Sequence, residues 1–176
     1  MMQKVKGLFW VFFITASACS FMPLPKEKIN WITLAELNEL YYKNPRPILI
    51  DVYTNWCGWC KEMDRTTYKN DKVANYINEH YYAVKYNAES RDSLTYNKVL
   101  YNFNNHFETN DFAIYLTFGR LEYPCTVFLS AIDARPAPLA GYMKPKEIEG
   151  PLKFFGEKAD VSQTFVEFTK TMKKEW

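Results

Sequence analysis

The residues best placed for chemistry are two cysteines, Cys57 and Cys60, separated by Gly58 and Trp59. An apolar run precedes the pair and a helical pattern follows it, so Cys57 is predicted to stand at the start of a helix. There the unpaired N–H groups of the first turn and the helix dipole favour the thiolate over the thiol. Cys60 lies one turn further along the same side and can attack a mixed disulfide formed by Cys57. The pair is therefore predicted to be a redox dithiol.

The alternative for these cysteines is a structural zinc site. A closed zinc site takes four ligands, and Cys125, His80 and His106 are the residues left to complete one. His80 falls on a predicted helix face and His106 in a loop, so no metal site is expected. Lys61 follows the pair, so the Cys-x-x-Cys-His signature of haem attachment is absent. A redox dithiol needs no dissociable cofactor.

Residues 1–18 have the pattern of a signal peptide. Lys4 and Lys6 precede a 12-residue apolar run that is too short to span a bilayer as a helix and ends in Ala-Ser-Ala. Cys19 follows directly, so lipid modification of Cys19 and plain secretion both stay open, with an uncleaved anchor as a third alternative. Ala16 stands where the lipoprotein motif usually carries leucine. The segment predicts an exported protein, periplasmic or held at the cell envelope.

Residues 19–30 are predicted to form a short tether, and residues 31–176 a single domain. Removing the first 18 residues leaves 158, enough for one domain with a sizeable core, and lowers the formal net charge from +2 to 0. A neutral chain gives no reason to expect nucleic acid as a partner. Apart from Cys19, three cysteines remain, which is no disulfide framework, so the thiols are expected to be functional.

The elements that must position the dithiol alternate between helices and strands. A helix capped by Thr33 is predicted up to the break at Asn44-Pro45, and a strand buried on both faces from Ile48 to Tyr53. The chain after the pair predicts, in order, a helix with a kink near Asn70, a strand Tyr81–Tyr86, a helix from Ser90 or Asp92 to Phe103, a strand Pro124–Ser130, a hairpin partner Leu139–Tyr142, and helices Lys144–Phe155 and Ser162–Trp176.

This order resembles the thioredoxin fold over about residues 31–155. Asp51 lies six residues before the first cysteine, where thioredoxins carry a buried aspartate, and Lys85 falls on the next strand, where they carry its lysine neighbour. Pro124 matches the cis-proline of the family and Gly141 the glycine late in the second hairpin strand. Within the superfamily the chain is most similar to secreted bacterial thioredoxin-like proteins with a Trp-Cys-x-x-Cys-Lys-x-Met signature.

The resemblance implies an α/β fold with a central mixed β-sheet flanked by helices, an insertion before the cis-proline strand and an extra C-terminal helix. Three features depart from the family pattern. Trp59 replaces the usual proline between the cysteines, Cys125 stands where a threonine commonly follows the cis-proline, and the segment 104–121 is longer than a minimal thioredoxin needs. We expect specificity to lie at the first two positions.

Asp51 and Lys85 are expected to lie beneath the dithiol and to assist proton transfer from Cys60. In an apolar strand, desolvation would raise the pKa of Asp51 and suit it to accept the proton that Cys60 loses. The alternative is an ordinary polar residue of the strand near the surface. Lys85 either tunes that pKa or extends to water. Cys125 is either a buried small apolar residue or a third sulfur that forms an alternative disulfide.

Pro124 and the tryptophans are expected to receive the substrate. A cis Pro124 would aim the backbone of Tyr123 at an incoming chain, which would pair as an extra strand across the dithiol. Trp56 and Trp59 would form an apolar rim that binds unfolded or extended polypeptide, or would simply pack.

The resemblance implies a thiol:disulfide oxidoreductase that acts on protein or peptide disulfides and exchanges electrons with a membrane or envelope redox donor. Gly58 and Trp59 carry no charge that would strongly stabilise the Cys57 thiolate, which favours a reductase over an oxidase or isomerase. The rival hypothesis is a binding module of the same fold, with the insertion 104–121 as its contact surface.

Overall fold

A computed structural model describes residues 28–176, so the predicted signal peptide, Cys19 and most of the tether lie outside the described residues. The elements in chain order are β1 (Trp31–Ile32), α1 (Leu34–Tyr41), β2 (Ile48–Tyr53), α2 (Gly58–Thr66), α3 (Asp71–His80), β3 (Tyr82–Asn87), β4 (Leu94–Tyr96), β5 (Val99–Tyr101), β6 (Phe103–Asn104), β7 (Thr109–Asn110), α4 (Asp111–Thr117), β8 (Cys125–Leu129), β9 (Ala137–Ala140), α5 (Pro145–Gly156), a 3-10 turn (Ala159–Val161) and α6 (Phe165–Thr171).

The central sheet has the strand order β1-β3-β2-β8-β9. The first three strands run parallel, and β8 and β9 are antiparallel to their neighbours. Because β2 has a hydrogen-bonded partner on each side and helices on both faces, its residues from Ile48 to Val52 are all buried, as the continuous apolar run predicts. The prediction of a mixed sheet flanked by helices is confirmed.

Side chains alternate along β2 between two hydrophobic cores, as the pleat of a strand requires. Ile48, Ile50 and Val52 join the core formed with α1 and α4, whereas Leu49 joins the core formed with α2, α3 and α5. Asp51 follows Leu49 by two residues and therefore faces the α2 side of the sheet. Asp51, the one carboxylate of β2, therefore lies beneath α2, the helix that carries Cys60.

Helices α1 and α3 begin at side-chain caps, of which the sequence predicts the first. Thr33 and Glu36 form a capping box at the start of α1. The kink predicted near Asn70 is a break between α2 and α3, where the Asn70 side chain accepts hydrogen bonds from the N–H groups of Lys72 and Val73. The predicted helix from Lys144 to Phe155 is confirmed as α5, and the predicted hairpin strand lies slightly earlier, at Ala137–Ala140.

The helix predicted from Ser90 or Asp92 to Phe103 is wrong. This segment forms an antiparallel hairpin, β4 and β5, in which Leu94 faces Tyr101 and Tyr96 faces Val99. Asn97 and Lys98 make the turn with φ angles of 45° and 66°, the left-handed geometry of a tight two-residue hairpin. Tertiary packing favours the hairpin over the predicted helix, because Tyr96 is fully buried against the ring of Phe112 in α4.

Lys98 is a position where the hairpin can be improved. A residue with a Cβ atom is strained at a φ of 66°, so we expect Lys98→Gly to raise the free energy of unfolding by about 0.5–1 kcal/mol. Urea unfolding measures this, with Lys98→Ala as the matched control that keeps the Cβ atom and the strain. A glycine variant no more stable than the alanine variant would contradict it.

The predicted helix Ser162–Trp176 is wrong over much of its length, since α6 is the one helical element in this range and the 3-10 turn precedes it. Thr164 and Glu167 form a capping box that starts α6, and Met172 leaves the helix with extended backbone. The chain then turns back onto α5, where the buried Glu149 carboxylate accepts hydrogen bonds from the N–H groups of Glu175 and Trp176. The hydrogen bonds to the buried Glu149 carboxylate stabilise this end of the chain more than one further helical turn would.

The long segment 104–121 folds as the end of a small hairpin, β6 and β7, followed by α4. Asn110 ties it to the sheet, since its N–H donates to the carbonyl oxygen of Ala88, just after β3. Within residues 28–176, no helix has the length and apolarity needed to cross a membrane.

Candidate functional site

The site is centred on a disulfide between Cys57 and Cys60 at the start of α2. Cys57 is the N-cap residue, and its sulfur accepts a hydrogen bond of 3.1 Å from the N–H of Cys60. Both side chains are almost fully buried, with the exposed fraction at 4% and 5%. In the reduced state, the same N–H and the positive end of the helix would stabilise a thiolate at Cys57.

Trp56 and Trp59 flank the disulfide and are exposed, at 68% and 63%. The Trp56 ring meets the ring of Tyr123 edge-on at 6.1 Å, and the Trp59 ring lies 5.5 Å from that of Tyr142. Two large, exposed apolar side chains therefore lie next to the cysteines in the chain. An exposed apolar surface of this kind is typical of a binding site for another chain.

Glu89 is a residue at this rim that the sequence prediction missed. Its carboxylate accepts a hydrogen bond of 2.7 Å from the indole N–H of Trp56. Glu89 follows β3, 33 positions after Trp56, and it reaches the rim because the end of β3 lies beside the end of β2. No local pattern in the sequence marks it. The contact orients Trp56 while leaving its ring exposed.

Asp51 lies behind the disulfide, with an exposed fraction of 2%. Burial raises its pKa to about 6 from an ordinary value of 3.8, and the Lys85 ammonium, 3.2 Å away, limits this rise. The Tyr68 hydroxyl donates a hydrogen bond of 3.3 Å to the carboxylate. A carboxyl group with this pKa is ionised at neutral pH and still basic enough to accept a proton.

Lys85 bridges two carboxylates, because its ammonium also binds Asp64 on α2. Burial lowers the pKa of Lys85, but Asp51 and Asp64 outweigh this, so the net shift is upward and Lys85 stays charged. The negative charge of Asp64 in turn contributes to the raised pKa of Asp51. The prediction missed Asp64, although its position four residues after Cys60 places the two on one side of a helix.

The Tyr123–Pro124 peptide bond is cis. Cys125 follows it as the first residue of β8, paired with Val52, and it is a free, buried thiol whose pKa burial raises to about 12. It belongs to the core formed with α1 and α4, on the opposite face of the sheet from Asp51. This orientation is that of a packing residue and offers no support for an alternative disulfide.

The remaining candidate ligands do not converge. His80 stacks on Tyr76 at 4.1 Å, and His106 contacts Phe107. Among the residues that the structure describes, no three His, Cys, Asp or Glu side chains are grouped so that they could hold a metal ion. The site instead has a disulfide at the start of α2, a buried carboxylate paired with a lysine, and two exposed tryptophans. A Cys-x-x-Cys disulfide of this kind can take part in thiol–disulfide exchange.

The fold and the site define a thioredoxin-like protein with a disulfide-bonded Cys-x-x-Cys pair at a helix start. The chain belongs to the DUF255 family: the family model Thioredox_DsbH, described as a protein of unknown function, matches residues 22–175.

Solved structures show the same fold. The chain superposes on a DsbH oxidoreductase with a TM-score of 0.54 and 13% identity, covering 88% of this chain and 95% of that one. A thioredoxin-fold protein from Helicobacter pylori gives a TM-score of 0.54 and 18% identity over 72% of this chain and 80% of that one. These likenesses confirm the predicted α/β class and thioredoxin-like architecture.

Curated relatives match over shorter stretches. A 61-residue stretch, 35% of this chain, is 33% identical to the thiol:disulfide interchange protein DsbD of Pectobacterium atrosepticum. A 116-residue stretch, 63% of this chain, is 26% identical to an uncharacterized protein of Caenorhabditis elegans. The matches cover 9% and 13% of those proteins, so the chain spans about a tenth of the length of the curated relatives it matches.

Proposed function

We propose that this protein is a thiol:disulfide oxidoreductase that reduces disulfides in proteins or peptides outside the cytoplasm. The observation that carries the proposal is the Cys57–Cys60 disulfide at the start of α2, on the side of the sheet that holds the buried carboxylate of Asp51. The interchange protein named among its relatives is a protein of the same chemistry. The pair itself undergoes the reaction, so the proposed cycle includes no dissociable cofactor and no metal.

In the first step the Cys57 thiolate attacks one sulfur of the substrate disulfide. A mixed disulfide forms, and the other substrate sulfur leaves as a thiolate that takes a proton from water. Cys60 then gives its proton to Asp51, directly or through a water molecule, and attacks the Cys57 sulfur. The Cys57–Cys60 disulfide forms, and the second substrate sulfur leaves as a thiolate that takes the proton held by Asp51 or one from water. The substrate is then a dithiol, and two electrons have passed to it.

A substrate chain would lie across the rim that Trp56 and Trp59 form. Pro124 has no N–H, and its cis bond turns the backbone of Tyr123, the residue that packs against Trp56. An extended chain can pair there as an added strand. In this proposal Trp56, Trp59, Tyr123 and Pro124 bind substrate, and Lys85 tunes Asp51.

The cycle needs a donor that returns two electrons to the disulfide. For an exported protein this donor is a redox protein of the membrane or envelope. Cys19 would hold the protein at the membrane if it is lipid-modified, and mass spectrometry of the N-terminal peptide from the purified cellular protein tests this directly. An unmodified Cys19, or an N-terminus beyond it, would contradict the lipid anchor and leave the exchange reaction unaffected.

Reduction of insulin disulfides tests the activity against the rival hypothesis of a binding module. With dithiothreitol as the electron source, we expect the protein to accelerate insulin precipitation and Cys57→Ala to abolish the acceleration, because no nucleophile remains at the helix start. A dithiol that titrates with a reductant but never accelerates insulin reduction would contradict the enzyme and favour the binding module.

A further inference from the structure

A groove leads away from the dithiol on the Trp59 side. Two adjoining hollows, of about 790 and 700 Å³, share Tyr142 and Lys144 and together extend from Gly58 to the N-terminal ends of α3 and α5. We call this surface the lysine groove, and its walls carry three aromatic rings and three lysines: Trp59, Tyr142, Trp176, Lys72, Lys144 and Lys146. It begins at the proposed reaction centre and is continuous with it.

The aromatic walls of the groove are fixed by hydrogen bonds. The Tyr142 hydroxyl lies 3.0 Å from the Thr66 hydroxyl, and the Thr67 hydroxyl donates to the carbonyl oxygen of Met143 at 2.6 Å. Both contacts tie the wall to the end of α2. At the other end, the ring of Trp176 meets that of Tyr76 edge-on at 5.8 Å. A rigid wall loses little conformational entropy when a ligand binds.

The net charge of the groove is positive. Of its two acidic side chains, Glu62 forms an ion pair with Arg65, and Glu147 accepts a hydrogen bond from the N–H of Lys144 at the start of α5, so three lysines stand against one carboxylate that has no ion-pair partner among the described residues. Across residues 28–176, neither Lys144 nor Lys146 has a carboxylate within ion-pair distance.

Lys72 adds a third positive charge to this surface. Its ammonium donates to the carbonyl oxygen of Glu175 and leaves its formal charge uncompensated. A ligand that complements the groove therefore carries carboxylates beside large apolar side chains.

We propose that the lysine groove binds an extended polypeptide segment in which carboxylates alternate with aromatic side chains, next to the disulfide that Cys57 attacks. This inference rests on the proposed function, because it assigns the flanking sequence of the same substrate. The aromatic side chains occupy the hollows between Trp59, Tyr142 and Trp176, and the carboxylates pair with Lys144 and Lys146.

The test uses a fluorescein-labelled peptide with one serine in the place of a cysteine and with alternating Glu and Phe on both sides, so binding is measured without any redox step. We expect it to bind about 3- to 10-fold more tightly than the same peptide with Gln for each Glu, the range that two partly exposed ion pairs supply. Lys144→Gln/Lys146→Gln should abolish this preference. The matched control, Lys43→Gln/Lys170→Gln, removes the same charge from two exposed lysines elsewhere and should retain it.

Equal affinity for the two peptides, or a preference that survives in Lys144→Gln/Lys146→Gln, would overturn the proposal. Binding to phosphatidylglycerol vesicles without a peptide preference would assign the lysines to a membrane surface, and self-association lost in the double variant would assign the groove to a second copy of the chain. Insulin reduction by the wild-type protein is scored separately. If the protein prefers the acidic peptide but does not reduce insulin, the proposed reductase activity is wrong and the proposed peptide binding by the lysine groove stands. If it reduces insulin but shows no preference for the acidic peptide, only the proposed peptide binding is wrong.

Discussion

Replacing Cys60 with alanine is expected to turn the protein from a catalyst into a trap. Cys57 keeps its place at the start of α2 and can still attack a disulfide, but the sulfur that would release the substrate is gone. The mixed disulfide then persists, so turnover should fall by at least about 10³-fold while covalent adducts accumulate. Insulin reduction measures the turnover, and non-reducing electrophoresis of the variant expressed in cells, followed by mass spectrometry, measures the adducts.

Two further variants test whether the adducts form through Cys57. Cys57→Ala/Cys60→Ala should form no adducts, because Cys57 is the attacking group. Cys125→Ala should form none and should keep wild-type turnover, since Cys125 is buried on the sheet face opposite Asp51. Adducts that map to Cys125, or a Cys60→Ala protein that forms no adducts and keeps its turnover, would contradict the proposed mechanism.

The centre of the site could be predicted from the sequence because its signals are local. Cys57 precedes a helical pattern, so its N-cap position follows from the few residues around it. Asp51 lies in a run of apolar residues, and a strand buried on both faces places a carboxylate within the protein wherever it occurs. The resemblance to thioredoxins added Pro124 and Lys85, which no local signal marks.

The parts that were missed depend on contacts between distant segments. Glu89 reaches Trp56 because β3 lies beside β2, and Tyr68 reaches Asp51 across the break between α2 and α3. The segment after Ser90 forms a hairpin because Tyr96 is buried against α4, a helix that comes later in the chain. Sequence periodicity over so short a segment does not distinguish a strand from a helix.

Asp51→Asn is expected to stabilise the oxidised protein at neutral pH. The ordinary pKa of the carboxyl group, 3.8, holds in the unfolded chain, and folding raises it to about 6. The folded protein therefore binds this proton more tightly, and the stability that Asp51 contributes at low pH is lost as the pH rises through about 6. Asparagine does not ionise, so the free energy of unfolding of the variant should match that of the wild type below about pH 3 and exceed it by about 2–3 kcal/mol above pH 7.

The same substitution should slow catalysis, because Asn cannot accept the proton of Cys60. In the wild type we expect the rate of mixed-disulfide release to rise with pH through about 6, as Asp51 ionises, and in Asp51→Asn to lose that inflection and fall by about 100-fold at pH 7. Stopped-flow release of a fluorescent thiol measures the step. Asp64→Asn is the matched control: it removes a carboxylate from the same lysine and should shift the inflection to lower pH without abolishing it. An Asp51→Asn variant that keeps the wild-type pH profile would exclude Asp51 as the base, whatever its effect on stability.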